Sequence, residues 1–465
     1  MFDNRDNIDF GKTKIPQLFS KLFVPTLLGM LFNVAFMLTD GIFVGRGVGP
    51  EGIACVNLVA PIMMIVTGVG MMFGIGSTVV AAIHMAQDNE KAARINITQA
   101  YMACVIVALL LGTVFYCFHS PILHLLGVSI SLLAEAREYY LWFIPTCLFL
   151  MFQLVGEFVI RLDGAPRYAM YANIIPALVN IILDYLFIFP CHMGLKGAAL
   201  ATDIGTAIGA GMTLYYMLFS AKSLSFYRIK HTTTSLRLTL RNIGYMTRMG
   251  LSALIGELAI SVMILTGNHL FGHYLGDDGI AAYSVICYLF PVVYTIYCAV
   301  AQAAQPIISY NYGAHLTTRV NHTLRYSLRF SLLFGLAATL LFCLTPSMII
   351  SIFINPISGA FQLASRGLPL YSLGFVFMAF NMSAIGYFQS TEKAAAASTL
   401  MLLRGVIFLV AAFITLPLLA GTAGLWLAVP VAEALACTVG VLILLHTRAQ
   451  TKAAAAQQKD TTDAL

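Results

Sequence analysis

The stretch GPEGIACVN at residues 49–57 recurs as GDDGIAAYS at residues 276–284, a shift of 227. The same shift carries Pro190 onto Pro417, Gly194 onto Gly421 and Gly197 onto Gly424, so that PCHMGLKG (190–197) aligns with PLLAGTAG (417–424). One offset that holds at both ends of half a chain marks a duplicated unit. Composition says what the unit is made of.

Of 465 residues, 59% are hydrophobic and 10% charged, and the mean hydropathy is +0.85. A water-soluble chain of this size needs far more polar surface, so the composition predicts an integral membrane protein. Apolar runs long enough to cross about 30 Å of hydrocarbon fall at 18–44, 53–85, 96–118, 139–160, 168–189, 197–219, 250–274, 280–311, 326–345, 367–389, 396–417 and 425–446. A closed barrel would show short alternating strands instead, so these predict twelve transmembrane helices in an all-α fold. Each copy of the repeat holds six. Six is even, so both copies insert in the same orientation and relate by an axis along the membrane normal. The expected architecture is two six-helix lobes, 1–221 and 249–446, around a central cleft. A polar cytoplasmic linker at 222–248 joins them, and a tail at 447–465 is expected to be disordered.

Lys and Arg decide the sidedness. They gather in the amino-terminal tail and the start of the first span (Arg5, Lys12, Lys14, Lys21), in the even-numbered connections (Lys91, Arg94, Arg161, Arg167, Lys222 through Arg248, Arg319, Arg325, Arg329, Lys393) and in the tail (Arg448, Lys452, Lys459). The other side receives only Arg46, Arg137, Lys196 and Arg366. By the positive-inside rule both termini are cytoplasmic, in a multi-pass protein of the cytoplasmic membrane. The net charge of +6 is thereby accounted for as topology, without nucleic acid. The amino-terminal MFDNRDNIDFGKTKIPQ lacks an apolar core, so the first span is expected to act as its own targeting signal. Nine cysteines without a CxxC pair read as small buried hydrophobes, not disulfides or a metal site.

The informative residues are carboxylates inside spans: Asp40, Glu157, Asp184, Asp203, Glu257 and Glu433. At about 1.5 Å per residue, Asp40, Asp184 and Asp203 all lie about 8–10 Å below the outer boundary, and can share one pocket. Asn180 and Asp184 are four residues apart on one face of the fifth span, and Thr202 in the sixth can hydrogen-bond a neighbouring carboxyl. Every Lys and Arg of the first lobe is assigned to an end or a loop. Carboxylates without a cationic partner in hydrocarbon, crowded by one another, call for a proton or a cation at Asp40 and Asp184. Shifting by 227 turns Asp40 into Gly267, Asp184 into Ala411 and Asp203 into Pro430, so the second lobe lacks these acids. It carries Glu257 instead, a candidate second site near mid-membrane. Glu157, four residues before Arg161, reads as an end residue reaching water.

Pro25, Pro176, Pro291 and Pro306 lie within spans and permit kinks. Tyr283, Tyr288, Tyr294 and Tyr297, with 21 methionines in the chain, suit a cleft for broad apolar cations. There is no P-loop, HExxH, nucleophile elbow or dinucleotide motif, so neither an enzyme nor an organic cofactor is expected.

The stretches TDGIFVGRGVGPEGIACVNLVAPI (39–62), IRLDGAPRYAMYANIIPALVNIILDYLFIF (160–189), QAAQPIISYNYGA (302–314) and LLRGVIFLVAAFITLP (402–417) resemble the multidrug and toxic compound extrusion (MATE) family. They fit its DinF/MepA-type bacterial branch best, over about Lys14 to His446. The resemblance implies a twelve-helix, two-lobe, monomeric antiporter that expels organic cations by alternating access in exchange for H+ or Na+. It assigns the coupling-ion site to Asp40, Asn180, Asp184 and Thr202, with a tyrosine at Tyr139 or its neighbour Tyr140, and Glu257 to a glutamate of the seventh helix. Asp203 and Tyr140 remain candidates for a second ion or substrate site. Ser252 departs from the proline common in the family. The rival expectation is a lipid-linked precursor flippase of the same superfamily, which the scarcity of basic residues in the spans, Arg404 excepted, disfavours.

Overall fold

The structure is a computed structural model that describes residues 8–126, 132–229 and 232–463, and among these no strand occurs. The first six spans are α1 (Ile15–Gly47), α2 (Pro50–Ala86), α3 (Glu90–Cys117), α4 (Leu133–Leu162), α5 (Pro166–Ile188) and α6 (Gly194–Tyr215). An 81-residue helical run, Thr233–Gly313, is broken at Gly276 into α7 (233–275) and α8 (277–313). Then come α9 (Thr317–Leu344), α10 (Gly359–Ser372 and Gly374–Ser390, bent by 43°), α11 (Ala394–Ala420) and α12 (Thr422–Asp463). Nine described stretches are long and apolar enough to cross a membrane, one of them the run that Gly276 divides. The bent pair and the glycine-rich α6 complete the expected twelve.

The duplication is written in the backbone. Gly49 and Gly276, Asp88 and His315, and Gly194 and Gly421 all have positive φ, and each pair is 227 residues apart. Glycine adopts this left-handed region without a Cβ clash, which is why it stands at two of these three turns. Short helices also start in register, at His119 and Pro346. Helix starts follow from local chemistry: Asn89 accepts from the Ala92 amide, Thr232 from Ser235 and Ser358 from Phe361, while Pro50 and Pro166 occupy first turns that lack intrahelical acceptors.

The chain forms two compact units. The first comprises Met1–Ser261, Tyr294–Tyr326 and Gln389–Ala394. Within it, Gly76 of α2 and Gly250 of α7 let two backbones touch, since a Cβ on Gly76 would strike Met246 O and one on Gly250 would strike Met72 O. Asn242 donates to Asn96 Oδ1 at 2.9 Å, and Gln305 donates to Thr78 Oγ1 at 2.9 Å across the repeat spacing of 227. The second unit comprises Val262–Val293, Ser327–Phe388 and Ala395–Leu465. Its interior holds an ion pair between Arg404 and Glu433, to whose Oε2 Asn381 donates at 2.7 Å.

Two boundaries differ from the sequence reading. Helix α7 begins at Thr233, so most of the expected linker 222–248 is helical. The apolar run marks only where lipid contact begins, and a polar helix continues into water once Thr232 caps it. Likewise α12 runs as helix to Asp463, through most of the tail expected to be disordered.

Candidate functional site

The first unit holds Asp40, Glu157, Asp184, Asp203 and Glu257, whereas Glu433 lies in the second. Pro176 inside α5 has no N–H, which leaves the Ala172 carbonyl without its usual helical donor. Gln153 of α4 supplies one at 3.1 Å, tying α4 to α5 at that bend. Glycine does the same for α6: a Cβ at Gly205 would press on Asn180 Cβ and Pro176 O, and one at Gly209 on the Gln153 amide. These close approaches bring Thr202 and Asp203 of α6 beside α5 and α4.

The carboxyl groups of Asp40 and Asp184 lie within hydrogen-bonding reach of each other. Asp184 is fully buried, and Asn180, one turn earlier, donates to Thr202 Oγ1 at 3.3 Å. Thr202 in turn donates to Ala198 O at 3.1 Å. Tyr139 is buried within electrostatic range of Asp40, Asp184 and Asp203 together. Thr146, two turns along α4 from Tyr139, donates to Asp203. Asp40 Oδ1, Asn180 Oδ1 and both Asp184 oxygens are buried, with no protein donor among the described residues. Acceptor oxygens turned toward one another in low dielectric are an arrangement that a proton or a hard cation stabilises.

Thus Asp40, Tyr139, Asn180, Asp184, Thr202 and Asp203 are gathered in one place. Tyr140 is not among them; it points to α3 and donates to Phe115 O at 3.0 Å. Glu257 stands apart, against Gly68 of α2, and none of the described residues hydrogen-bonds it. Glu157 does not reach water: it is buried, accepts from Gln153 at 3.1 Å and lies 3.5 Å from Arg161 Nη2. The four-residue spacing that suggested a solvated end instead makes an internal ion pair, so Arg161 is a buried cation and not a loop charge. Tyr283 and Tyr297 are buried as well, Tyr283 donating to Met263 O at 3.0 Å, whereas Tyr288 is exposed. Thr146 was not anticipated, although its seven-residue spacing from Tyr139 was there to be read.

The family model MatE matches twice, at residues 25–186 and 253–414. The multidrug export protein MepA of Staphylococcus saprophyticus is 24% identical over 444 residues, covering 94% of each chain. A solved MATE multidrug transporter, DinF-BH, is 26% identical with a TM-score of 0.85, covering 96% of this chain and 99% of that one. An outward-facing multidrug resistance MATE transporter of the MOP superfamily superposes with a TM-score of 0.85 at 19% identity, over 92% of this chain and 95% of its own.

Proposed function

Because the chain belongs to the MatE family, whose members are transporters and not enzymes, we propose that it is a secondary antiporter exporting organic cations in exchange for H+ or Na+. The observation that carries the ion coupling is the facing of Asp40 and Asp184 beside Asn180 Oδ1, acceptor oxygens without a protein donor among the described residues. A cation held there joins α1 to α5; its release leaves two like charges in low dielectric, which push the helices apart. Because export substrate and coupling ion each favour a different arrangement of α1 and α5, each drives the release of the other. Tyr139 and Thr202 steady the pair, and Asp203, held by Thr146, adds negative potential to the same pocket.

The MepA and DinF-BH likenesses support small-molecule drugs as the substrate class. The distribution of Lys and Arg supports a placement in the cytoplasmic membrane with both termini inside, and the proposed state is a monomer. A flippase for lipid-linked phosphates would need free cationic groups, and the buried Arg161 and Arg404 are both committed to glutamates. The test is export of a fluorescent organic cation by matched amounts of wild type and Asp184→Asn in membranes. Loss of gradient-driven export in the variant supports the reading, and equal export refutes it.

A further inference from the structure

Residues 227 apart that touch one another lie on the axis relating the two repeats, because such a contact is its own image. Two contacts of this kind join α2 of the first repeat to α8 of the second. Gln305 donates to Thr78 Oγ1 at 2.9 Å, and a Cβ on Gly313 would lie 3.1 Å from Ala86 Cβ and 2.9 Å from Ile83 O. Between them Ala82 and Ser309, also 227 apart, are both fully buried. Residues 78, 82 and 86 form one stripe of α2, and 305, 309 and 313 one stripe of α8, at four-residue spacing. Both stripes run to the last residue of their helix, at the end that the basic residues place in the cytoplasm.

A second seam adjoins the first. Helices α2 and α7 run past each other in opposite directions, with Gly76, Met72 and Gly68 against Met246, Gly250 and Leu254. A Cβ on Gly76 would strike Met246 O, one on Gly250 would strike Met72 O, and one on Gly68 would lie 3.2 Å from Leu254 Cα. Glycines at the crossing let two helical backbones approach this closely. This seam also joins the first repeat to the second, and all the residues of both seams belong to the first compact unit.

We propose that the two seams are the inner gate of the transporter, held shut in this structure by backbone contact at Gly76, Gly250 and Gly313 and by the axial hydrogen bond of Gln305 with Thr78. Alternating access requires the inner ends of the repeats to part, and α2 is the first-repeat helix that α7 and α8 both grip. Dispersion between bare backbones falls by a quarter to a half within about 0.5–1 Å of separation. Such a gate is firm when shut and resists little once it begins to open. The inference rests on the antiporter reading above.

Glycine supplies the test. A methyl group at Gly250 props α2 and α7 apart, whereas one at Gly244, on the same helix, meets nothing within 4 Å. Alanine is the better helix former at either position. Ser309→Cys places a thiol inside the gate in nearly the volume of the hydroxyl it replaces. Labelling at position 309 by a membrane-impermeant maleimide in inside-out vesicles, read by mass spectrometry, reports inner opening. Export of a fluorescent organic cation in proteoliposomes, under an imposed pH or Na+ gradient, reports transport. In the Ser309→Cys background, Gly250→Ala is expected to raise the labelling rate and to lower export, each at least tenfold, and Gly244→Ala to leave both within twofold. Gln305→Met, which removes the axial hydrogen bond, is expected to raise labelling at least threefold. Labelling or export by Gly250→Ala within twofold of its parent overturns the gate, as does equal acceleration by Gly244→Ala. If Gly250→Ala does not accumulate in the membrane, a rise smaller than threefold in Gln305→Met overturns it. Wild-type protein that exports under neither gradient overturns the antiporter reading instead, so the two failures are distinguishable.

Discussion

Asp40 of α1 and Asp184 of α5 bring their carboxyl groups within hydrogen-bonding reach, in an interior where Asp184 has no exposed surface. Neither forms an ion pair with a basic side chain among the described residues. Two acids so placed share a cation or repel, and the first unit carries that bistability in two helices. The second unit has nothing of the kind among its described residues, because its buried glutamate is already neutralised by Arg404.

Removing either charge is expected to uncouple transport. Asp40→Asn and Asp184→Asn should each lower gradient-driven export at least tenfold while leaving the amount of folded protein in the membrane unchanged, as read by drug accumulation in cells at matched expression.

Thr202→Val should weaken the site without abolishing it. The lost hydrogen bond with Asn180 contributes about 0.5–1.5 kcal/mol, which corresponds to roughly a two- to tenfold rise in the cation concentration for half-maximal export. The maximal rate should be little changed, and a cation titration of initial export rates separates the two effects.

Gln153→Leu should destabilise the bend in α5. It strips the Ala172 carbonyl of its replacement donor, and a buried polar group left unpaired costs about 1–3 kcal/mol. The measurement is the thermal unfolding midpoint of the detergent-purified protein, expected to fall.

Arg404→Ala should cost about 3–5 kcal/mol of stability, because it leaves the Glu433 carboxylate buried and unpaired. The double change Arg404→Met with Glu433→Leu removes both charges and should recover most of that loss. Thermal midpoints of the three proteins check the order wild type and double variant above Arg404→Ala.

The fold was largely legible because hydropathy and repetition act over long stretches. The match of residues 49–57 with 276–284 announced the register that the positive φ of Gly49 and Gly276 later repeats. Depth along a helix also follows from counting residues, which is how Asp40, Asp184 and Asp203 could be placed at one level. Direction around a helix was harder to read. Tyr139 and Tyr140 are neighbours in sequence, and only packing decides that one faces the acids and the other Phe115. Glu157 and Arg161 were misjudged because a position near a helix end implies water only if no other helix covers it. The seven-residue spacing of Thr26, Asn33 and Asp40 was a usable signal of a polar face, as was that of Tyr139, Thr146 and Gln153.

The most direct test of ion coupling at the carboxyl pair is transport of a fluorescent organic cation in proteoliposomes under pH and Na+ gradients imposed separately. Movement of the organic cation opposite to the H+ or Na+ gradient, present in wild type and absent in Asp40→Asn and Asp184→Asn, is the predicted result. Wild-type protein that responds to neither gradient, or variants that transport as fast as wild type, would contradict it.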